Sequence, residues 1–245
     1  MDRKIVVTTV DFKRMVPVGK HAFFLQVFEL DKQIFPHSSI EELYRYVYDI
    51  DALSVSIVQY HHQNKLIGQN IIQILKLILN GNPIFIISSR AGFLAEYRGG
   101  NRSLKSAIRV ALNHKIRYPM YPLWFVPTIM HPKIYTLFAS RSANFFPRVG
   151  KKMPQAHADV LQLLHSQYND VEVRGENLYV HPYDLPKVMP EQLICLRIKT
   201  DLHNQFFMQH VPDYFAGIGL ICICCLDFKT ICETVVNLAL DRKVY

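Results

Sequence analysis

The stretch from Pro83 to Arg117 constrains this chain most tightly. Pro83 to Ser89 is an apolar run of strand length, and it leads into Gly92-Phe93-Leu94-Ala95-Glu96-Tyr97-Arg98-Gly99-Gly100-Asn101-Arg102-Ser103. From Ser103 to Arg117 the pattern turns helical: Leu104, Ile108, Ala111 and Leu112 share one face, and Lys105, Arg109, Asn113 and Arg117 the other. The backbone must reverse sharply through Arg98-Gly99-Gly100, which glycine permits without steric cost. A strand, a tight glycine turn and a helix start form an anion site, because unpaired amide N–H groups point one way and the helix dipole adds positive potential.

The elements before this stretch fix its place in a fold. Lys4 to Val10 reads as a strand, Val18 to Phe35 as a helix with Phe24, Val27, Phe28, Ile34 and Phe35 near one face, and Pro36 stops it. Ser39, with Glu42 three residues on, opens a second helix edged by Ile40, Leu43 and Val47. Leu53 to Tyr60 is a strand, and His61-His62-Gln63-Asn64-Lys65 a polar turn without a further metal-ligand partner nearby. In Leu66 to Leu79, Gln69, Asn70, Gln73 and Lys76 are spaced as a helical polar face. Asn80-Gly81 between two isoleucine-rich runs is nevertheless a strong hairpin signal, so two strands are expected.

This order (strand, two helices, three strands, glycine turn, helix) resembles the GNAT superfamily of N-acyltransferases over roughly residues 1–150. In that family Arg/Gln-x-x-Gly-x-Gly/Ala binds the pyrophosphate of coenzyme A. Arg98, Asn101 and Ser103 fill the corresponding positions here, so both later glycines are replaced. Asn tolerates left-handed geometry and Ser suits a helix N-cap. The resemblance implies an α/β (α+β) fold with a mixed central sheet flanked by helices. It also implies acetyl-CoA or a longer acyl-CoA as co-substrate, with no metal, and transfer of the acyl group to a small-molecule or peptide amine. Arg98, Gly99, Gly100, Asn101, Arg102 and Ser103 would then hold the pyrophosphate, and the backbone of Phe93 and Leu94 the pantetheine arm and thioester. Tyr135, on a helix opened by Pro132, becomes the candidate general acid, and His131 a candidate base or substrate contact. Each has a plainer alternative, Tyr135 as a packed helix flank and His131 as a solvated turn. Glu96 lies too near the phosphate turn to be the base; Ser88 and Arg90 are candidates to face the acceptor, and Arg90 in a strand requires a partner.

After Pro119 and Pro122, Leu123 to Val126 reads as a buried strand. Phe145-Phe146-Pro147-Arg148-Val149-Gly150-Lys151-Lys152 is aromatic and then basic, fitting a channel wall, an anionic membrane surface or a solvated loop. Gln155 to Tyr168 reads as a helix, Val171 to Val180 as a hairpin about Gly175-Glu176-Asn177, and Pro182, Pro186 and Pro190 as a loop. Leu193 to Ile198 and Gly217 to Leu226 follow as strands, and Phe228 to Arg242 as an amphipathic helix with Thr230 and Glu233 at capping-box spacing. Residues 151–245 thus form an extension that extends the sheet, builds an acceptor pocket or mediates a homodimer, continuous with the 1–150 core.

Composition narrows the partners. Half of the 245 residues are hydrophobic and a fifth charged, as in a folded globule. The net charge of +8 suits an anionic partner. The cations look dispersed and no base-reading motif stands out, so no nucleic-acid partner is expected. No secretory h-region opens the chain, and the apolar run Tyr214 to Leu226 is too short to span a bilayer. Five cysteines without zinc-like spacing point to reduced, buried thiols in a reducing, cytoplasmic setting. No nucleophile elbow, P-loop or dinucleotide fingerprint is present. Two alternatives remain: a non-catalytic acyl-CoA or lipid-binding protein, motivated by the replaced glycines, and a long-chain acyltransferase at a membrane surface, motivated by Phe145-Phe146 and the basic loop.

Overall fold

A computed structural model describes residues 4–167, 171–182 and 201–244. The chain packs as two units, Met1–Leu77 with Phe85–Pro119 and Ile78–Ile84 with Met120–Tyr245. Gly150, where the sequence reading ends the core, lies inside the second unit. Tyr168, Pro186, Pro190 and the strand expected at Leu193 to Ile198 lie outside the described residues.

Strands β1 (Ile5–Asp11), β2 (Ala52–His62), β3 (Lys65–Leu79) and β4 (Asn82–Phe93) lie in the order β1-β2-β3-β4 and belong to the first unit except for the Ile78–Ile84 hairpin tip. Helices α1 (Pro17–Ile34), α2 (Ile40–Val47) and α3 (Arg102–Arg117) complete it. The sheet strands are connected as the Asn80-Gly81 signal requires. Both residues have positive φ, 50° and 79°, the geometry of a two-residue hairpin turn. The expected element order is the one observed, and the fold is mixed α/β.

Strand β3 is apolar on both faces, with Ile71, Ile72 and Ile74 buried, and its polar residues have specific partners. Gln69 donates to Val27 O at 3.1 Å, and Gln73 to Tyr46 O at 3.3 Å and Asp49 Oδ2 at 2.7 Å. Asn70 donates to Ser103 O at 3.0 Å. Because neighbouring strand residues point to opposite faces, α1 and α2 cover one side of the sheet and the start of α3 the other. The helical look of 66–79 therefore arises from polar groups that reach helices, not from a solvated helix face.

Ser39 caps α2, accepting from Glu42 N at 3.0 Å. The Glu42 side chain does not complete the box; it reaches Arg90 at 3.0 Å. Helix α1 breaks early, at Val18 and Gly19, where Gly19 takes φ 88°. Its buried face includes Leu30 and Asp31, which the apolar pattern did not single out. Asp31, fully buried, is met by Arg90 from β4: Nε to Oδ1 at 3.0 Å and Nη2 to Oδ2 at 2.8 Å. Ser38 Oγ donates to the same Oδ2 at 2.6 Å, and Arg90 lies over the Phe35 ring at 4.8 Å. Arg90 thus has the partner a strand arginine needs, and it ties β4 to α1 and α2.

The second unit is described by itself. Strand β5 (Leu123–Phe125) and β7 (Phe145–Phe146) flank β11 (Ile223–Cys225), and β6 (Thr128–Ile129), β10 (Ile218–Ile221), β9 (Tyr179–Pro182) and β8 (Glu172–Val173) form another sheet in that order. The run Gly217 to Leu226 is therefore not one strand but two, broken at Cys222. Helices α4 (Pro132–Ala139), α5 (Gln155–His165), α6 (Leu202–His210) and α7 (Phe228–Ala239) pack here. The N-cap of α7 is Asp227, which accepts from Thr230 N at 2.6 Å, so Thr230 is a capped residue and not the cap. The hairpin about Gly175 and Asn177 is present, with Glu172 opposite Val180. No helix among the described residues is long and apolar enough to cross a membrane.

Candidate anion-binding site

The turn between β4 and α3 is built from the sheet upward. Phe93 is buried, its ring 4.8 Å from that of Tyr60 and packed against Gly68. A Cβ at Gly68 would enter the Phe93 ring, so only glycine fits there. Opposite this point β3 carries an extra residue: Tyr60 pairs with Gly68 and His61 with Leu66, which leaves Ile67 as a bulge. The Ile67 carbonyl accepts from Leu94 N at 2.9 Å. Leu94 therefore differs from its expected role, because its amide is spent inside the sheet. The Phe93 carbonyl is engaged as well, accepting from Arg98 Nε at 3.3 Å.

Beyond Leu94, Ala95–Tyr97 form a single 3-10 turn, and the chain then passes through Gly99 and Gly100 with φ of 109° and 74°. A side chain at Gly99 would meet nothing within 4 Å, so the turn faces open space. Helix α3 begins at Arg102, and its N-cap is Asn101, whose side chain makes no cap hydrogen bond. Ser103 is thus the second residue of the helix and not its cap. Its carbonyl is held by Asn70. The first-turn amides of α3 have no partner within the helix, as at any α-helix start, and no side chain of Asn101 covers them.

Two sheet residues pin this helix start, and the sequence reading missed both. Asn70 binds Ser103 O and is itself held by Ser89 Oγ at 2.7 Å. The Tyr60 hydroxyl donates to Arg102 O at 3.2 Å and lies 2.5 Å from Ser106 Oγ. Burial raises the Tyr60 pKa, opposed by the Ser106 hydrogen bond and the Arg102 charge. Their signal was a buried Asn and a Tyr hydroxyl within largely apolar strands, where a polar group requires a partner. Arg102 Nη1 donates to Gly99 O at 3.1 Å, bracing the glycine turn. Around the turn stand the exposed cations Arg98, Arg102 and Lys105; the nearby Glu96 pairs with Lys65 at 3.8 Å. Ser88, expected to face an acceptor, lies 2.8 Å from the Tyr46 hydroxyl.

The catalytic candidates belong to the second unit. His131 caps α4, its Nδ1 accepting from Lys133 N at 3.1 Å. Tyr135 is fully buried among Phe145, Phe206 and Phe207, and its hydroxyl donates to Pro147 O at 2.7 Å. Burial drives its pKa well above the usual value, with the Cys222 thiol adding and Arg148 opposing. A phenol enclosed in this way packs a core; it is not an exposed acid. Arg148, expected in a solvated or surface-binding loop, is buried, donating to Ala139 O at 2.6 Å, Ser142 O at 2.8 Å and Val244 O at 2.7 Å. Phe145 and Phe146 are buried likewise, whereas Lys151 and Lys152 are exposed, Lys152 lying 3.6 Å from Glu176. Among the described residues no three His, Cys, Asp or Glu side chains gather to hold a metal.

No family model and no curated protein matches the chain. Solved structures overlap it partially. An Enterococcus faecalis V583 protein described as a probable N-acyltransferase is 10% identical over 57% of this chain, with a TM-score of 0.39; the chain spans only 33% of its length. An acyl-CoA N-acyltransferase from Pseudomonas aeruginosa is 10% identical over 57% of this chain and 88% of its own, with a TM-score of 0.36. A ribosomal-protein-alanine N-acetyltransferase from Brucella melitensis biovar Abortus 2308 is 12% identical over 71% and 97%, with a TM-score of 0.31.

Proposed function

We propose that this chain is an acyltransferase that moves an acetyl or longer acyl group from acyl-coenzyme A to an amine. The observation that carries the reading is the open turn at Gly99 and Gly100, running into an α3 start whose N-cap residue, Asn101, makes no side-chain cap hydrogen bond. It occurs at the same point in the element order as the family's pyrophosphate loop. The first-turn amides of α3 and the exposed Arg98 and Arg102 would hold the pyrophosphate. Asn101 and Ser103, in place of the family's glycines, leave the backbone turn intact, because the two positive φ angles fall on Gly99 and Gly100.

In the transfer, the thioester C–S bond breaks as a C–N bond forms; the amine loses a proton and the coenzyme's sulfur leaves as thiolate or thiol. Tyr135, whose hydroxyl is given to Pro147, is not assigned the acid role. That same observation favours a second reading, a non-catalytic acyl-CoA-binding protein on the same fold. A membrane-surface role for 145–152 is not carried forward, since Phe145, Phe146 and Arg148 are buried.

The test is calorimetric titration of the protein with coenzyme A, acetyl-CoA and palmitoyl-CoA, beside an Arg98→Glu variant. Binding that weakens by ten-fold or more in the variant, a loss of about 1.4 kcal/mol or more, supports the turn as the phosphate site. No binding to any of the three sinks the proposal. Binding without acyl transfer to any of a panel of amines selects the second reading.

A further inference from the structure

The cations that look dispersed in the sequence gather once α3 forms. Helix α3 carries Arg102, Lys105, Arg109, Lys115 and Arg117 and contains no acidic residue. Lys115 is buried. The other four are exposed and, at 100° per residue, fall within an arc of about 120°. With a rise of 1.5 Å per residue they extend along about 22 Å of one helix face. None of the four makes an ion pair among the described residues. Asn113, exposed, lies in the same arc, and so does Ile116, the one large apolar residue exposed on it.

This strip outruns the site described above. Arg102 stands at the glycine turn, whereas Arg117 is four helical turns away. Arg109 and Arg117 are thus set about 10 and 22 Å along the axis from the pyrophosphate turn. A single small anion at the helix start leaves them unused. Their field is felt on the helix itself: His114, buried on the sheet side, has its pKa lowered to about 4, first by desolvation and then by Arg117 and Lys115.

We propose that α3 is a docking strip for the sugar–phosphate backbone of a nucleic-acid duplex. Unneutralised cations spread along about 22 Å of one helix face fit a repeating row of phosphates by charge and by length. The strip carries one exposed apolar residue and no apolar cluster, so it has nothing to bury in a bilayer, and a lipid surface is the less suited occupant. With no array of base-reading side chains, contact is sequence-independent.

The experiment is fluorescence anisotropy of a labelled DNA duplex of about 20 base pairs, titrated with the whole chain across a salt series. The comparison is Arg109→Gln/Arg117→Gln, with circular dichroism and coenzyme A titration as controls. Four phosphate contacts predict a log–log salt slope of about −3.6, that is, a loss of about 150-fold in affinity between 50 and 200 mM salt. The double variant should retain a slope of about −1.8, a loss of about twelve-fold, with coenzyme A binding unchanged. Each single substitution should reduce the slope by about 1. Equal slopes for the wild-type chain and the variants overturn the proposal. So does no binding to the duplex, or strip-dependent binding to phosphatidylserine vesicles alone. Duplex binding survives as a finding even if coenzyme A fails to bind, so the two proposals fail separately.

Discussion

Replacing Arg90 by methionine tests whether the buried pair with Asp31 holds α1 and α2 to β4. The substitution keeps an unbranched apolar stem and removes the fork that meets both Asp31 oxygens, at 3.0 and 2.8 Å. Asp31, whose side chain is 1% exposed, retains Ser38 Oγ at 2.6 Å and a long contact from Gln69 at 3.4 Å, but no cation. Breaking a buried pair from one side costs about 3–5 kcal/mol. Because the Arg90 side chain is 20% exposed, the lower end applies, about 3 kcal/mol. Removing both charges in Asp31→Leu/Arg90→Met should be less damaging than the two single changes added together, with a coupling of about 2 kcal/mol. Urea denaturation followed by far-ultraviolet circular dichroism reads the effect. With a slope of about 2 to 3 kcal/mol per molar, Arg90→Met moves the midpoint down by about 1 to 1.5 M. A loss under about 1 kcal/mol, or strictly additive single and double variants, would refute the argument that this pair carries its weight through mutual neutralisation.

Two further outcomes follow from the same geometry. Gly68→Ala drives a methyl into the Phe93 ring, so it should lower stability by about 1–3 kcal/mol and weaken coenzyme A binding, because the Phe93 carbonyl holds Arg98. Unchanged thermal unfolding and calorimetric affinity would contradict that. His114 has a folded pKa of about 4, below its unfolded value of about 6.5, so the unfolded state binds more protons between the two. Its contribution is complete above pH 6.5 and is lost as pH falls toward 4, by about 2–3 kcal/mol. Urea midpoints at pH 7 and pH 4 for the wild-type chain and His114→Phe should differ by that amount less in the variant; parallel profiles would contradict the assignment.

What could be read from the sequence was local. Asn80-Gly81 fixes a hairpin through two backbone angles that neighbouring residues cannot reverse, and it correctly outweighed the helical spacing of Gln69, Asn70 and Gln73. Ser39 and the two glycines after Arg98 likewise act within a few residues. What was missed depends on distant partners. Asp31 and Arg90 are 59 positions apart, so an acidic residue inside the apolar face of α1 carries no sign of its neutralising partner. Leu94 looked free because nothing in the sequence marks Ile67 as the bulged residue that takes its amide. Tyr135, expected as a general acid, is buried against Phe206 and Phe207, about seventy residues later in the chain.

Strand β3 has one more consequence. A strand with one apolar and one polar face is held in register by that contrast, since a slip of one residue exposes the apolar side. Ile71, Ile72 and Ile74 give β3 two apolar faces, so hydrophobic burial alone would tolerate a slip. The three amides act as keys cut for opposite locks: Gln69 and Gln73 for Val27 and Asp49, Asn70 for Ser103. Moving β3 by one residue turns each key toward the wrong helix and strands three buried amides, at about 1–3 kcal/mol apiece. The contacts that set the start of α3 thus also select a single alignment of the sheet beneath it.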